Sequence, residues 1–584
     1  MRPFLSIATS LSLLLSLTVN PIMGQSTVTS TPSATTPIQH IVVIYGENIS
    51  FDHYFGTYPV AANPPGQPRF TAAAGTPTVN GTPGTSNYVN GLTTSLLTNN
   101  PNFTNTAGNG AAAANPFRLN RSQALTADMS HSDGPEQASF DAQSGTYKMD
   151  LFPSKTGSAG GAPNYPLVSV PAAVGTKGLV MGYYDGNTVT ALWNYAQYFA
   201  MNDNSYNSQY GPSSPGAINL VAGNTNAVSS SANGPSSNGV ADGQGGITLI
   251  GDADPLGDVC SSTTSYTVNL AGKNVGDLLN TAGLTWGWFQ GGFDLTVTNP
   301  NGTTGCKRST VSPTTGATVA DYVQHHQPFQ YYASTQNLTH VRPSSIAAIG
   351  TTDAAKHQYD IHDFFDSLNA GNLAAVSFLK APAYQNGHPG NSNPLDEQAF
   401  VASVVNTLAA SSFWSSTAVI IAYDDSDGWY DHQPGPGIIN GSFTSTDVLT
   451  GASACGTSGV TPQLAGPNSS GLPVNGRCSP GVRTPLQVIS PWAKTNYVDH
   501  TFTIQTSIMR FIEDNWSLGQ VGGGSFDGIV GTTVTATLPN GTTVSVPVGK
   551  LNNMFNFTPS VPPNTVTPIL STVTGQVTST ISVP

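Results

Sequence analysis

Two apolar runs of β-forming residues, Ile41 to Tyr45 and Ala418 to Tyr423, constrain the fold more than any other feature, because each stops abruptly on polar or charged oxygen. The first passes through Gly46 to Glu47 and Asn48, and the second runs directly into Asp424 and Asp425, with Asp427 close behind. A strand with no polar alternation is covered on both faces, as in a parallel sheet lying between helix layers. The intervening sequence agrees. "GDLLNTAGLTWGWFQ" and "HDFFDSLNAGNLAAVSFLK" each read as a helix followed by a strand, and Phe400, Val401, Val404, Val405 and Leu408 form one helical stripe just before the second run. This alternation predicts an α/β fold with a mostly parallel central sheet and helices on both faces. A small β-rich region is expected near the C-terminus, where "GIVGTTVTATLPNGTTVSVPVG" alternates like a hairpin turning at Pro539, Asn540 and Gly541.

In open α/β sheets, ligands lie beyond the carboxyl ends of the strands. Two strands therefore deliver Glu47, Asn48, Asp424 and Asp425 to one edge. Carboxylate and amide oxygens in that position suit one divalent ion of the Ca, Mg or Mn class, while a lone Asp capping a turn is the plainer alternative. In "YGPSSPGAINLVAG", Pro215 fits the first position of a helix with Ser214 as its N-cap and Ser213 just before it. Beyond capping, a serine there would face the positive end of a helix, where a phosphate is favoured and the hydroxyl can attack it. A bound divalent ion would activate that hydroxyl. His131, the adjacent His325 and His326, and His388 in a turn-rich loop are the histidines placed to assist. No helical H-x-x-x-H pair and no G-x-S-x-G elbow is present, which argues against a zinc protease and an ordinary serine esterase.

The ends and the insertions read differently from this core. Residues 1–24 have one arginine, an apolar centre and small residues to follow, as in a secretory signal, and 25–37 form a Ser/Thr/Pro linker. Residues 59–115 have few large apolar side chains and read as a low-complexity surface insertion, and 558–584 as a loose tail. The span 38–557 is left as the catalytic domain. Cys260, Cys306, Cys455 and Cys478 are an even set in an exported chain, so disulfides pairing 260 with 306 and 455 with 478 are expected. Charged residues make up only 8% of the chain, against about 25% in ordinary soluble proteins. The net charge of −13 excludes nucleic-acid binding through the overall field, and so few bases predict tolerance of acid. No later stretch is apolar enough for an integral membrane segment.

Taken together, "HIVVIYGENISFDHYFGTYP", "YGPSSPGAINLVAG", "GDADPLGDVC", "HHQPF", "NGHPGNSNP", "AYDDSDGWYDHQPGP" and "LNNMFNF" resemble the secreted phosphoesterase family of bacterial acid phosphatases and phosphatidylcholine-specific phospholipases C, within the alkaline phosphatase superfamily. The resemblance implies an alkaline-phosphatase-like sheet. It also implies that Glu47, Asn48, Asp424 and Asp425 are metal ligands and that Ser213 is both nucleophile and metal contact, with His131, His325, His326 and His388 around the phosphate. Gly216 after Pro215 and Gly46 before Glu47 depart from the Asn and Gln common in the phospholipase branch. "DDSDGWYDHQ" is closer to the acid phosphatase branch. The expected function is a secreted or periplasmic, metal-dependent acid phosphatase working through a phosphoserine on a phosphorylated small molecule or lipid. A phospholipase C with Trp429, Phe51 and Tyr54 as an apolar rim is the alternative, and a non-enzymatic surface protein the second.

Overall fold

The computed structural model describes residues 32–79, 94–143, 146–158, 175–235, 237–437, 474–538 and 540–583. The expected signal (1–24), most of the linker, Cys455 and Pro539 lie outside the described residues.

Eight strands form the main sheet: β1 (His40–Gly46), β2 (Ala200–Asn202), β3 (Trp286–Gln290), β4 (Gln358–Asp360), β5 (Val376–Lys380), β6 (Thr417–Tyr423), β7 (Leu486–Ile489) and β8 (Tyr497–Asp499), in the spatial order β4-β3-β5-β1-β6-β7-β2-β8. All neighbours are parallel except around β7, which runs antiparallel to both β6 and β2. β1 is central, pairing Ile41–Ile44 with Val376–Leu379 on one side and His40–Gly46 with Thr417–Tyr423 on the other. Every residue from Ile41 to Tyr45 is buried, as the unbroken apolar run requires.

Seven helices matter here: α1 (Phe51–Phe55), α2 (Thr190–Tyr198), α3 (Ser213–Val221), α4 (Val275–Ala282), α5 (Ile361–Asn369), α6 (Pro394–Ala409) and α7 (Thr506–Asn515). The predicted stripe of α6, Phe400 to Leu408, is buried, and Asn393 caps the helix ahead of Pro394. Side chains one register position apart in a sheet point to opposite faces. The Tyr45 hydroxyl donates to the Gly216 carbonyl in α3, and the Tyr423 hydroxyl donates to Glu397 in α6. Since Tyr423 pairs with Gly46 and not Tyr45, α3 and α6 lie on opposite faces.

The β-rich region is the hairpin β9 (Thr533–Thr537) and β10 (Thr543–Pro547), which closes a small separate apolar cluster with Phe502, Ile504 and Phe526. Two expectations need correction. Residues 558–584 are not a loose tail: β11 (Val566–Leu570) and β12 (Val577–Ser582) pair as a hairpin. The hairpin is anchored on the body of the fold, because Thr567 accepts from the Trp414 indole at 2.8 Å and Asn406 bonds both backbone groups of Leu570. Nor is 59–115 purely a surface insertion. Phe70 packs edge-on against Trp193, and the fully buried Asn100 and Asn102 bond Tyr430 and the Phe152 amide. Cys260 and Cys306 form the expected disulfide; Cys478 is disulfide-bonded too.

α7 carries a titration that the fold must accommodate. Glu513 is 1% exposed, and burial together with the neighbouring Asp527 pushes its carboxyl up to about 9. A raised acid favours the folded state while protonated in both states, so its contribution is full below the ordinary carboxyl range and is lost as pH climbs toward 9. Glu513→Gln is therefore expected to stabilise the protein relative to wild type at pH 8 by a few °C more than it does at pH 5. Melting curves at the two pH values check this, and a difference of equal size at both would refute it.

Candidate active site

The carboxyl ends of three adjacent strands meet at one edge: β5 ends on Lys380, β1 leads to Glu47 and Asn48, and β6 leads to Asp424 and Asp425. The connections after β1 and β6 are sewn together by the Ile49 amide donating to the Asp425 carbonyl at 2.9 Å and the Asn48 amide donating to Asp424 Oδ1 at 3.2 Å. Asn48 and Asp427 adopt left-handed backbone, φ 64° and 55°, a region Asn and Asp tolerate better than most residues. Asn48 Nδ2 donates to Asp427 Oδ1 at 3.2 Å, which leaves the amide oxygen facing inward.

Helix α3 brings the serine. It begins at Ser213 behind an extended Pro212, one residue pair earlier than Pro215 predicts. Ser214 is consequently not the N-cap: its amide and hydroxyl both donate to Asp252 Oδ1 at 2.9 Å. Ser213 is 1% exposed, and its Oγ lies 3.0 Å from Asp425 Oδ2, 3.1 Å from Glu47 Oε2 and 3.3 Å from Asn48 Oδ1. Of the expected metal ligands, Asp424 alone is turned aside, with Oδ1 accepting the amides of Asn48 and Asp425 and Oδ2 paired to Lys380.

The glycines at which the sequence departs from the phospholipase branch have packing causes. A Cβ on Gly216 would collide with the Asp424 backbone carbonyl, and one on Gly46 would lie 2.7 Å from the Tyr423 ring. Gly216 thus lets α3 press directly on the connection that carries Asp425. Glu136 braces the same junction, accepting from the Gly211 amide at 2.9 Å and the Ser426 hydroxyl at 2.6 Å.

The histidines surround the oxygens at different depths. His326 is buried, with Nδ1 2.9 Å from Glu47 Oε1. Burial first, then the neighbouring His325 and Lys380 charges, hold it well below its usual value and so neutral. His325 lies 3.5 Å from Asp254 and 3.8 Å from Asp252; burial opposes its charge, but these carboxylates outweigh that and raise it to about 9. Nδ1 of His131 is 3.1 Å from Asp427, and the acids around it overcome burial to keep it charged. The rings of His131 and His388 are 5.9 Å apart, and with the exposed Asp128 they form a cluster able to hold a metal ion at the outer side.

The inner oxygens fit a divalent cation. A serine hydroxyl has one proton, so Ser213 can satisfy only one of the three acceptors within 3.3 Å of it. Burial and the neighbouring Glu47 charge push Asp424 up to about 7, and burial with the Asp424 and Glu136 charges holds Asp425 well above its usual range, a cost that a cation relieves. All the donors are hard oxygen, the set that Mg, Ca and Mn prefer.

Residues 38–519 match the model of the Phosphoesterase family. The chain belongs to that family. A "Non-hemolytic phospholipase C" of Pseudomonas aeruginosa is 31% identical over 158 residues, 26% of this chain and 21% of that protein. A "Phospholipase C A" of Mycobacterium tuberculosis is 27% identical over 215 residues, 36% of this chain and 34% of that protein. A "Non-specific phospholipase C3" of Arabidopsis thaliana is 30% identical over 127 residues, 21% of this chain and 19% of that protein. The phosphoesterase chain therefore spans between about a fifth and a third of the length of these curated relatives.

Sequence reasoning overlooked Lys380, Glu136 and Asp252 in this phosphoesterase. Lys380 carried the same signal as Glu47, a charged residue closing the apolar run "AAVSFL". Glu136 sits in the short helix Asp133–Ser139 and Asp252 in a connection, neither with an apolar periodicity to place it. Because Gly216 has no room for a methyl group against backbone, Gly216→Ala is expected to lower the melting temperature by several °C, whereas Gly134→Ala, whose Cβ meets nothing within 4 Å, should change it by about 1 °C or less. Equal melting temperatures for the two variants would show that α3 is not in close contact with the Asp424 backbone.

Proposed function

We propose that this protein is an exported, metal-dependent phosphoester hydrolase that acts on phosphate monoesters through a phosphoserine at Ser213. One observation carries the reading: a serine hydroxyl at the start of a nine-residue helix lies within 3.3 Å of oxygens from Glu47, Asn48 and Asp425. The helix N-terminus favours an anion at that point. Glu47, Asn48, Asp425 and Ser213 would hold the cation, with Asp424 alongside. When bound, it lowers the pKa of the serine hydroxyl and offsets negative charge on the phosphate.

The chain's own groups supply the rest. Asp425 Oδ2, 3.0 Å from Ser213 Oγ, is positioned to take the hydroxyl proton. Ser213 Oγ then bonds to phosphorus as the bond from phosphorus to the leaving oxygen breaks, and that oxygen takes a proton from a charged histidine. His325 is suited to this, since it stays protonated to about pH 9 and adjoins α3, its carbonyl being 3.5 Å from Ser214 Oγ. Water subsequently adds to phosphorus and passes a proton to the now neutral His325, the bond to Ser213 Oγ breaks, and the serine recovers its proton from Asp425.

The raised His325 also changes the expected pH behaviour. A histidine near its ordinary value would need mildly acidic conditions to be charged. Held near 9, His325 imposes no such requirement.

The relatives named as phospholipases C favour a second reading, cleavage of a phospholipid diester. Against it, the aromatic residues expected to form a lipid-facing rim are core: Trp429, Phe51 and Tyr54 are each no more than 1% exposed, Trp429 stacked on His53 and Phe51 lying against Arg483. The outer side of the site is instead polar, with His131, His325, Asp252 and Asp254 all partly exposed. No helix among the described residues is long and apolar enough to cross a membrane. The Cys260–Cys306 disulfide and the expected signal favour export.

The deciding assay measures phosphate release from p-nitrophenyl phosphate beside phosphatidylcholine cleavage, after chelation and after restoring Ca, Mg or Mn. Metal-restored monoester hydrolysis is expected to dominate; preferential phosphatidylcholine cleavage would establish the second reading. Ser213→Ala should lose at least ~10³-fold in turnover while melting near wild type, and full activity would remove Ser213 as the nucleophile. In a profile of kcat/KM against pH, wild type should decline above about pH 9, and His325→Gln should be slower throughout and lack that alkaline limb. An unchanged limb in the variant would assign the proton to another group.

A further inference from the structure

Lys380 is a full cation placed inside the carboxylate cluster, at the end of β5 and with no exposed surface. An ammonium has three donors. All three have acceptors here: Glu47 Oε1 in a short ion pair, Asp424 Oδ2 at 2.8 Å and the Gly46 carbonyl at 3.4 Å. The Tyr45 ring lies beneath, 5.2 Å from the nitrogen. The two carboxylates come from neighbouring strands, β1 and β6, at consecutive positions after the paired Gly46 and Tyr423, so without an intervening cation they would face each other in a dry interior.

Glu47 is divided by this arrangement. Oε1 is engaged by Lys380 and approached by His326, which leaves Oε2 as the oxygen directed at Ser213. Asp424 is divided likewise, Oδ2 to Lys380 and Oδ1 to two backbone amides.

We propose that Lys380 is a positioning residue that occupies the place of a second cation between Glu47 and Asp424, fixes Glu47 Oε2 toward Ser213, and thereby limits this inner cluster to one divalent ion. The inference rests on the divalent-cation reading of the Ser213 cluster. Lysine acts as a fixed monovalent charge, so the cluster keeps its geometry when the exchangeable ion leaves. Replacing it with an uncharged side chain of similar length leaves two carboxylates sharing a pocket that a further divalent ion can neutralise.

The test counts bound Mn²⁺ on the purified full-length protein, by the loss of the free-ion electron paramagnetic resonance signal on titration into chelator-treated samples. Wild type is expected to bind one Mn²⁺ in the cluster, and that signal should be abolished by Glu47→Gln. Lys380→Met is expected to bind one more Mn²⁺ than wild type, and Lys380→Met/Asp424→Asn, which removes the charge on both sides, should return to the wild-type count. A wild type with no Mn²⁺ site sensitive to Glu47→Gln overturns both this inference and the cation reading beneath it. A wild type that binds as expected, with Lys380→Met unchanged in stoichiometry, overturns this inference alone. If Lys380→Met does not fold in the absence of metal, added Mn²⁺ should restore cooperative melting, and the double variant should fold without it; failure of both also overturns the assignment.

Discussion

The geometry of the site depends on the register among β5, β1 and β6. Parallel pairing of Ile44 with Leu379 and of Gly46 with Tyr423 brings Glu47 and Asp424 to one level at the edge of the sheet and sets Lys380 behind them, from where its long side chain reaches both carboxylates. A slip of one residue in either pairing would move these side chains to the opposite face and separate the ion pairs. The register is held by long runs of buried β-branched and aromatic residues, so hydrophobic packing in the middle of the sheet determines where the charged atoms lie at its end. Glu47, Asp424 and Asp425 are costly in such surroundings, and the cost is offset locally by Lys380, by backbone amides and by the hydroxyl of Ser213.

Much of this was legible in the chain because it follows from local pattern. An apolar strand with a charged residue just beyond it announces both a buried element and the place where that element becomes exposed to chemistry; Glu47, Asn48, Asp424 and Asp425 were found in this way. Lys380 obeyed the same rule and was missed because a terminal lysine is usually a solvated one. The helix start at Ser213 was misplaced by two residues, since Pro215 fits the first turn equally well at a later position and nothing local reveals that Asp252 engages Ser214. Asp252 and Glu136 act over long sequence separations, which periodicity does not encode.

The C-terminal residues and the 59–115 segment were misjudged for a related reason. Thr, Val and Pro around β11 look like a solvated tail when read alone, but partners distant in sequence order them, among them the indole of Trp414 and the amide of Asn406. Asn-rich sequence looks equally unstructured, yet Asn100 and Asn102 are buried because each finds hydrogen bonds in Tyr430, Met149 and Phe152. In a chain with only 8% charged residues, amides and hydroxyls do much of the specifying that ion pairs do elsewhere.

Glu136 accepts simultaneously from the loop before Ser213 and from the loop after Asp425, so a side chain that belongs to neither loop helps fix the distance between a serine and an aspartate 212 positions apart, together with the close packing of Gly216 on the Asp424 backbone. The two loops are therefore mechanically coupled. A length change in either is transmitted to the other, through the Glu136 carboxyl group and through the Asn207 side chain that donates to the Asp424 carbonyl.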